Sequence, residues 1–157
     1  MTATTPVAFD PAPTHLGLTM TFKATSAILA GQIVSFAATG VSRSVVPATS
    51  STGQPIGIAA HSQATAGEDI TVLMDGCVCK VMLSADDGTA DAGDWIGVST
   101  VAGTGIVRDP AILAHDVVVG LQLAVGYAID DIAAGAATVG GTGYIVVKTS
   151  PPVAAAS

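Results

Sequence analysis

The stretch that most restricts the fold is residues 55–83, PIGIAAHSQATAGEDITVLMDGCVCKVML. Apolar residues recur there at every second position, and short polar, Gly-containing breaks divide the runs. A period of two is that of a strand with one buried face, whereas a helical stripe repeats near 3.6. Ile56, Ile58 and Ala60 are expected on one face of a first strand. Ala66-Gly67-Glu68-Asp69 forms a turn. Ile70, Val72 and Met74 then alternate with Thr71 and Leu73 in a second strand buried on one face and partly on both. Asp75-Gly76 is a strong hairpin signal between two such runs. In the third strand Cys77, Cys79 and Val81 lie on one side, with Val78, Lys80 and Met82 on the other. Gly57, Gly67 and Gly76 are expected at turn or bulge positions.

The same grammar runs through most of the chain. Residues 1–20, with Pro6, Pro11 and Pro13, read as an extended N-terminal arm, because Pro removes a donor and holds the preceding residue extended. A β domain follows over 21–149. Ala30-Gly31 makes a turn before a strand at Gln32–Phe36, and Val41–Val46 is a further strand ending at Pro47. Ser84–Gly93 is a polar, acidic loop. Strands are expected at Asp94–Val98, which carries the single Trp, at Ile106–Arg108 and at Gly143–Lys148. Val117–Asp130 reads as strands broken at Gly120 and Gly126. Asp109-Pro110 can open a helix of at most two turns, with Asp as cap and Pro in the first turn. Residues 150–157 read as a flexible C-terminal tail. Residues 57–74 also echo residues 126–147: each has Gly-apolar-Ala, an Ala-rich loop containing Gly, then a β-branched strand. Such segments would be equivalent strand pairs in one barrel or sandwich, or else a convergence of similar turns in a Gly/Ala-rich chain.

Composition excludes several function classes. The net charge is −7, and the five basic residues Lys23, Arg43, Lys80, Arg108 and Lys148 are scattered singly. Direct nucleic-acid binding needs clustered Lys and Arg, so it is not expected. Only 11% of residues are charged, against roughly 25% in an ordinary domain. Small side chains dominate, so a monomer would bury little area per residue, and part of its surface is expected to be covered in an assembly. No apolar run approaches the ~18 residues of a spanning helix, so no membrane span is expected. The first residues lack the basic and apolar regions of a secretory signal, which points to synthesis in a cytosol.

Candidate chemistry is sparse. Cys77 and Cys79 face one way in a strand, but a zinc site needs about two more Cys or His ligands. His15, His61 and His115 have no ligand-like spacing, so the cysteines read as small core hydrophobes. Asp86, Asp87, Asp91 and Asp94 form an acidic cluster without the spacing or terminal Glu of an EF-hand, and read as a solvated turn; a weak cation site in the acidic loop 84–94 is the other reading. The segments GGTG and AGTG lack the strand–loop–helix context and the Lys of a phosphate loop. Residues 129–135, IDDIAAG, share an outline with the uracil-binding stretch of trimeric dUTPases. Ala133 stands where that pattern has Tyr, and no Ser-rich phosphate motif accompanies it. No catalytic, cofactor-binding or metal residue is assigned, and no cofactor is implied.

The order of turns and strands resembles the small capsid decoration, or cement, proteins of tailed viruses. The resemblance rests on Ala30-Gly31-Gln32-Ile33-Val34, Pro55-Ile56-Gly57-Ile58-Ala59 and Ala66-Gly67-Glu68-Asp69-Ile70-Thr71-Val72. It continues through Gly76 and its strand, Ala92-Gly93-Asp94-Trp95, Gly120–Ala128 and Tyr144–Lys148. It covers roughly three quarters of the chain; the loop 84–93 and the segment 109–118 have no counterpart. The resemblance implies a mainly β fold, a small β-barrel or β-sandwich of β-tulip kind. It implies a homotrimer on the outer surface of an icosahedral head, clamping neighbouring major capsid protein subunits, and no catalysis. Residues 55–83 then become the central hairpin of the barrel. A non-catalytic carbohydrate- or receptor-binding module is the alternative, although three Phe, two Tyr and one Trp leave few aromatics to stack on a sugar.

Overall fold

A computed structural model describes residues 17–37, 43–49, 54–84, 89–108, 124–133 and 142–149. The predicted helix at 109–118, the tail 150–157, His15, His115, Asp86 and Asp87 lie outside them, as does the arm up to residue 16. The described residues form ten strands and no helix: β1 (Thr19–Ala24), β2 (Ile33–Phe36), β3 (Ser44–Pro47), β4 (Pro55–Ala59), β5 (Asp69–Leu73), β6 (Val78–Met82), β7 (Trp95–Val98), β8 (Gly105–Arg108), β9 (Ala124–Ala128) and β10 (Thr142–Val147). The first strand starts two residues earlier than expected, with Thr19 and Met20 already paired to Leu73 and Val72.

Strands β1–β5 close into a barrel in the order β1-β3-β2-β4-β5, and β6–β10 form a curled sheet in the order β6-β10-β9-β7-β8. Closure removes exposed strand edges from the first unit. In the second unit the two ends approach at a single parallel bridge, Leu83–Gly105.

The two units are the same structure twice, so the echo between 57–74 and 126–147 extends across all ten strands. In each unit the second strand pairs antiparallel with the third and fourth, and the fifth with the first and fourth. The parallel pair Ala24–Val45 corresponds to the bridge Leu83–Gly105. Register breaks fall at equivalent points, Val34/Ser35 and Ile96/Gly97. The turns also match. Leu29 N–H donates to Gln32 Oε1 and Ala30 N–H to Ser62 Oγ, as Asp91 N–H donates to Asp94 Oδ2 and Ala92 N–H to Asp131 Oδ1. Gly31 and Gly93 occupy the same left-handed position, φ 86° and 94°.

The register breaks correct one expectation. Val34 pairs with Gly57 and Ser35 with Pro55, so Ile56 is an extra residue, a β-bulge. The bulge puts Ile56 inside the barrel with Val34, Ala59, Ile70 and Val72. Ile58 points the other way, into the core shared with the second sheet. Ile56, Ile58 and Ala60 therefore do not share a face. Gly126 does not break a strand either: it lies within β9, where a Cβ would collide with the Val146 carbonyl oxygen. Gly57 meets the Leu73 carbonyl in the same way in β4.

A second correction concerns Asp75-Gly76. The turn forms, with Cys77 N–H donating to Met74 O (3.1 Å), but β5 and β6 do not pair. A tight hairpin turn of the Asp-Gly type needs positive φ at both central residues. Here only Gly76 is positive, φ 91°, the pattern of a type II turn, which splays the flanking strands. The chain leaves the barrel at Leu73 and enters the second sheet at Val78. Residues 55–83 are thus an antiparallel pair plus the crossing between units, not a single central hairpin.

Two cores result. One fills the barrel, around Phe22, Ile28, Val45, Ile70 and Val72. The other unites the inward side of the second sheet with Ile33, Ala48, Ile58 and Leu73 from the barrel's outer side. Backbone bonds tie the same seam: Met82 N–H to Gly31 O (3.0 Å), Ile33 N–H to Gly103 O (2.9 Å) and Gly103 N–H to Ala48 O (2.8 Å).

Candidate functional site

The residues singled out in the sequence are structural where they are described. Cys77 and Cys79 are free, buried thiols, and both belong to the shared core. Burial raises the pKa of both, Cys79 to about 12. A thiol that keeps its proton is neither a nucleophile nor a metal ligand. Among the described residues no group of three or more His, Cys, Asp or Glu is placed to hold a metal ion.

Asp91 and Asp94 belong to the turn before β7. Asp94 Oδ2 accepts the Asp91 N–H (2.9 Å), and Asp131 Oδ1 accepts the Ala92 N–H (3.0 Å). Neutral Gln32 and Ser62 make the equivalent bonds in the first unit. The two carboxylates thus do the work of turn caps that uncharged oxygens perform equally well. His61 occupies the place in its unit that Asp130 occupies in the other. Its Nε2 accepts the Thr71 N–H (3.1 Å), which leaves the proton on Nδ1, 3.3 Å from Ser62 O. It therefore braces β5 at its middle residue. The Gly-rich AGTG is the β7–β8 turn, closed by Ser99 and Thr104 at 2.8 Å.

A shallow cavity of about 280 Å³ on the barrel side is lined by Thr21, Phe22, Lys23, Arg43 and Asp69. Lys23 and Asp69 pair directly across it, and both are more than half exposed. The Lys23 ammonium is raised by its hydrogen bond and charge interaction with Asp69. An exposed pair of this kind, with Arg43 beside it, offers charge but no activated group.

The feature that sequence reasoning missed is an aromatic face on the second sheet. The chain's one Trp and both Tyr lie on its outward side. The register aligns Trp95, Tyr127, Val146 and Val78 in one row across β7, β9, β10 and β6. Ile129, Tyr144 and Lys80 form the next row. Trp95 and Tyr127 meet edge to face, centroids 5.6 Å apart, and Lys80 Nζ lies 5.7 Å from the Tyr144 ring centroid. These positions are 32 residues apart in sequence for the first pair, so no local pattern joins them. Aligning the two halves through the echo was the one signal that would have done so.

Fold and site together define a duplicated β protein with a crossing core and an aromatic outer face. No protein-family model matches the chain, and no curated protein matches it. Among solved structures it is similar to the head fiber gp8.5 N base of bacteriophage phi29, with a TM-score of 0.55 and 17% identity, over 87% of this chain and 98% of that chain. At that identity the likeness is one of fold.

Proposed function

We propose that this chain is a virion structural protein, a capsid decoration protein that binds the outer surface of an icosahedral head as a homotrimer and clamps neighbouring major capsid subunits. The observation that carries this reading is the likeness to nearly the whole of a phage head fiber base. The independent resemblance of its strand order to cement proteins supports the same class. The physical basis is multivalency: a decoration oligomer grips several shell subunits at once, so modest contacts combine into firm attachment. The Pro-rich residues 1–16, which precede β1, are suited to lie across, or add to, a partner's sheet edge. The chain's small, weakly charged surface suits packing against another protein rather than against nucleic acid.

Particles made with and without the protein test this. The protein is expected to co-sediment with heads and to raise their resistance to heat or chelator. Deleting residues 1–16, which leaves every described strand intact, is expected to weaken attachment. Heads that carry no copies and resist heat equally well would overturn the proposal.

A further inference from the structure

We propose that the outer edge of the first half of β1 is a strand-addition site that receives residues 7–10 of a second copy of this chain. Barrel closure stops short of this edge: β3 meets β1 only at Lys23 and Ala24, whereas β5 pairs along all of Thr19–Lys23. Residues 19–22 therefore overhang β3. Backbone groups alternate in direction along a strand. Those of Lys23 and Thr25 face β3, through Lys23 N–H to Arg43 O (2.7 Å) and Thr25 N–H to Val45 O (3.0 Å). Thr19 and Thr21 share that direction, and among the described residues nothing bonds to their N–H and C=O groups there. An unpaired edge of this kind is a template for another strand. Side-chain burial breaks at the same place: Phe22 is 4% exposed inside the barrel, while Met20 and Leu18, on the same face, are 37% and 56% exposed.

The cavity of about 280 Å³ lies at the fork where β3 departs from β1, between Thr21, Phe22, Lys23, Arg43 and Asp69. Lys23 is paired with Asp69. Arg43 has no ion-pair partner among the described residues, so the cavity keeps one uncommitted guanidinium. Arg43 is also the one non-Gly residue with positive φ among them, 56°. Gly or Asn would hold that backbone with less strain, so the turn itself does not call for Arg. A guanidinium beside an open strand edge suits an extended segment that carries a carboxylate.

The chain itself supplies such a segment. Residues 1–16 contain one acid, Asp10, and no Lys or Arg. Val7-Ala8-Phe9-Asp10 lies between Pro6 and Pro11, so each of its residues has an N–H to donate. At period two Val7 and Phe9 fall on one face, with Ala8 and Asp10 on the other. The edge offers the same two faces, apolar at Leu18 and Met20 and polar at Thr19, Thr21 and Lys23. Running parallel to β1, the segment covers Leu18 and Met20 with Val7 and Phe9 while Asp10 reaches Arg43, and Pro11 ends the pairing where β3 begins. Parallel neighbours within one chain need a connection of about a dozen residues or more. Only residues 11–17 separate this segment from the start of its own overhang, so the strand comes from a second copy. The inference deepens the homotrimer of the proposed function and concerns contacts between copies, not attachment to a shell.

Sedimentation of the full chain along a dilution series reads the association. The expected result is a mass above the 15.3 kDa of one chain, which falls to that value when a synthetic peptide of residues 1–16 is added in excess. The same peptide carrying Asp10→Arg is expected to leave the oligomer intact. Arg43→Glu and Asp10→Arg are each expected to weaken association about tenfold, and the two single variants to associate again when mixed as separate chains. Thr21→Pro removes an outward N–H and spares the bonds to β5. It is expected to weaken association to a similar extent, with an unchanged circular dichroism spectrum. A monomer at every concentration overturns the inference, as does an oligomer that Arg43→Glu leaves unchanged. Restoration by both substitutions in one chain, but not by mixing the single variants, overturns it as well, because the contact would then lie within one chain. Loss of head attachment by a chain that still self-associates through this edge would overturn the proposed function alone.

Discussion

Cys79 shows how burial, rather than residue type, decides the chemistry of a side chain. Its thiol is 1% exposed, and burial pushes its pKa up to about 12 from an ordinary 9.0. In the unfolded chain the same thiol ionises near the ordinary value. The unfolded state therefore loses a proton first as pH rises. The thiol's contribution to stability is complete below about pH 9 and is lost between about pH 9 and about pH 12, at ~1.4 kcal/mol per pH unit. Denaturant unfolding on both sides of pH 9 is expected to show this decline, and Cys79→Ala is expected to flatten it. An unchanged slope in that variant would mean the thiol is not shielded. The core role of Cys77 and Cys79 was readable from their alternation with Val78 and Lys80. The roles of Asp94 and Asp131 were not, because the N–H groups they cap come from a turn whose geometry depends on a partner loop 39 residues away.

Among the elements, the two unit-defining pairs β4–β5 and β9–β10 are held close by Gly57 and Gly126. A methyl at either would strike a backbone carbonyl oxygen of the neighbouring strand. Backbone cannot yield as a flexible side chain can, so Gly126→Ala is expected to cost about 3 kcal/mol. Gly93→Ala meets nothing within 4 Å and carries only the left-handed backbone penalty, ~1–2 kcal/mol. Thermal or denaturant unfolding of the two variants should therefore rank Gly126→Ala well below Gly93→Ala. The strand positions themselves were mostly legible, since β2, β5, β6, β7, β8 and β10 fall within or beside the alternating runs. Bulges were not. Val125 is the extra residue in β9 as Ile56 is in β4, and a one-residue insertion reverses every side chain beyond it. Asp75-Gly76 misled for a related reason: the dipeptide specifies a turn, while the φ of Asp75 decides whether the strands pair or part.

For the whole molecule, the decisive feature is that the barrel's outer side completes the core of the second sheet. Ile58 is fully buried in that joint core. Ile58→Ala is expected to destabilise the protein by about 2–5 kcal/mol. The two units should unfold together, because neither side of the seam is covered without the other. Far-UV circular dichroism reads strands of both units, and Trp95 fluorescence reads the second alone. Coincident transitions are expected; separated ones would show that the barrel and the second sheet are independent.

The sequence by itself determined that this is a β protein. Period-two alternation, Gly-bearing turns and a scarcity of charge are local properties, and they suffice to place strands and to mark Cys77 and Cys79 as core. It also held the trace of a duplication, in the echo of 57–74 at 126–147. Only the tertiary structure decided that the echo is a complete repeat split between two sheets. Only it decided that the repeat's outer row is buried in one copy and aromatic and half-buried in the other. The physical reason is that pairing partners, bulge registers and the burial of an outward face depend on strands far apart in the chain, and no local pattern of side chains records which strand will lie beside which.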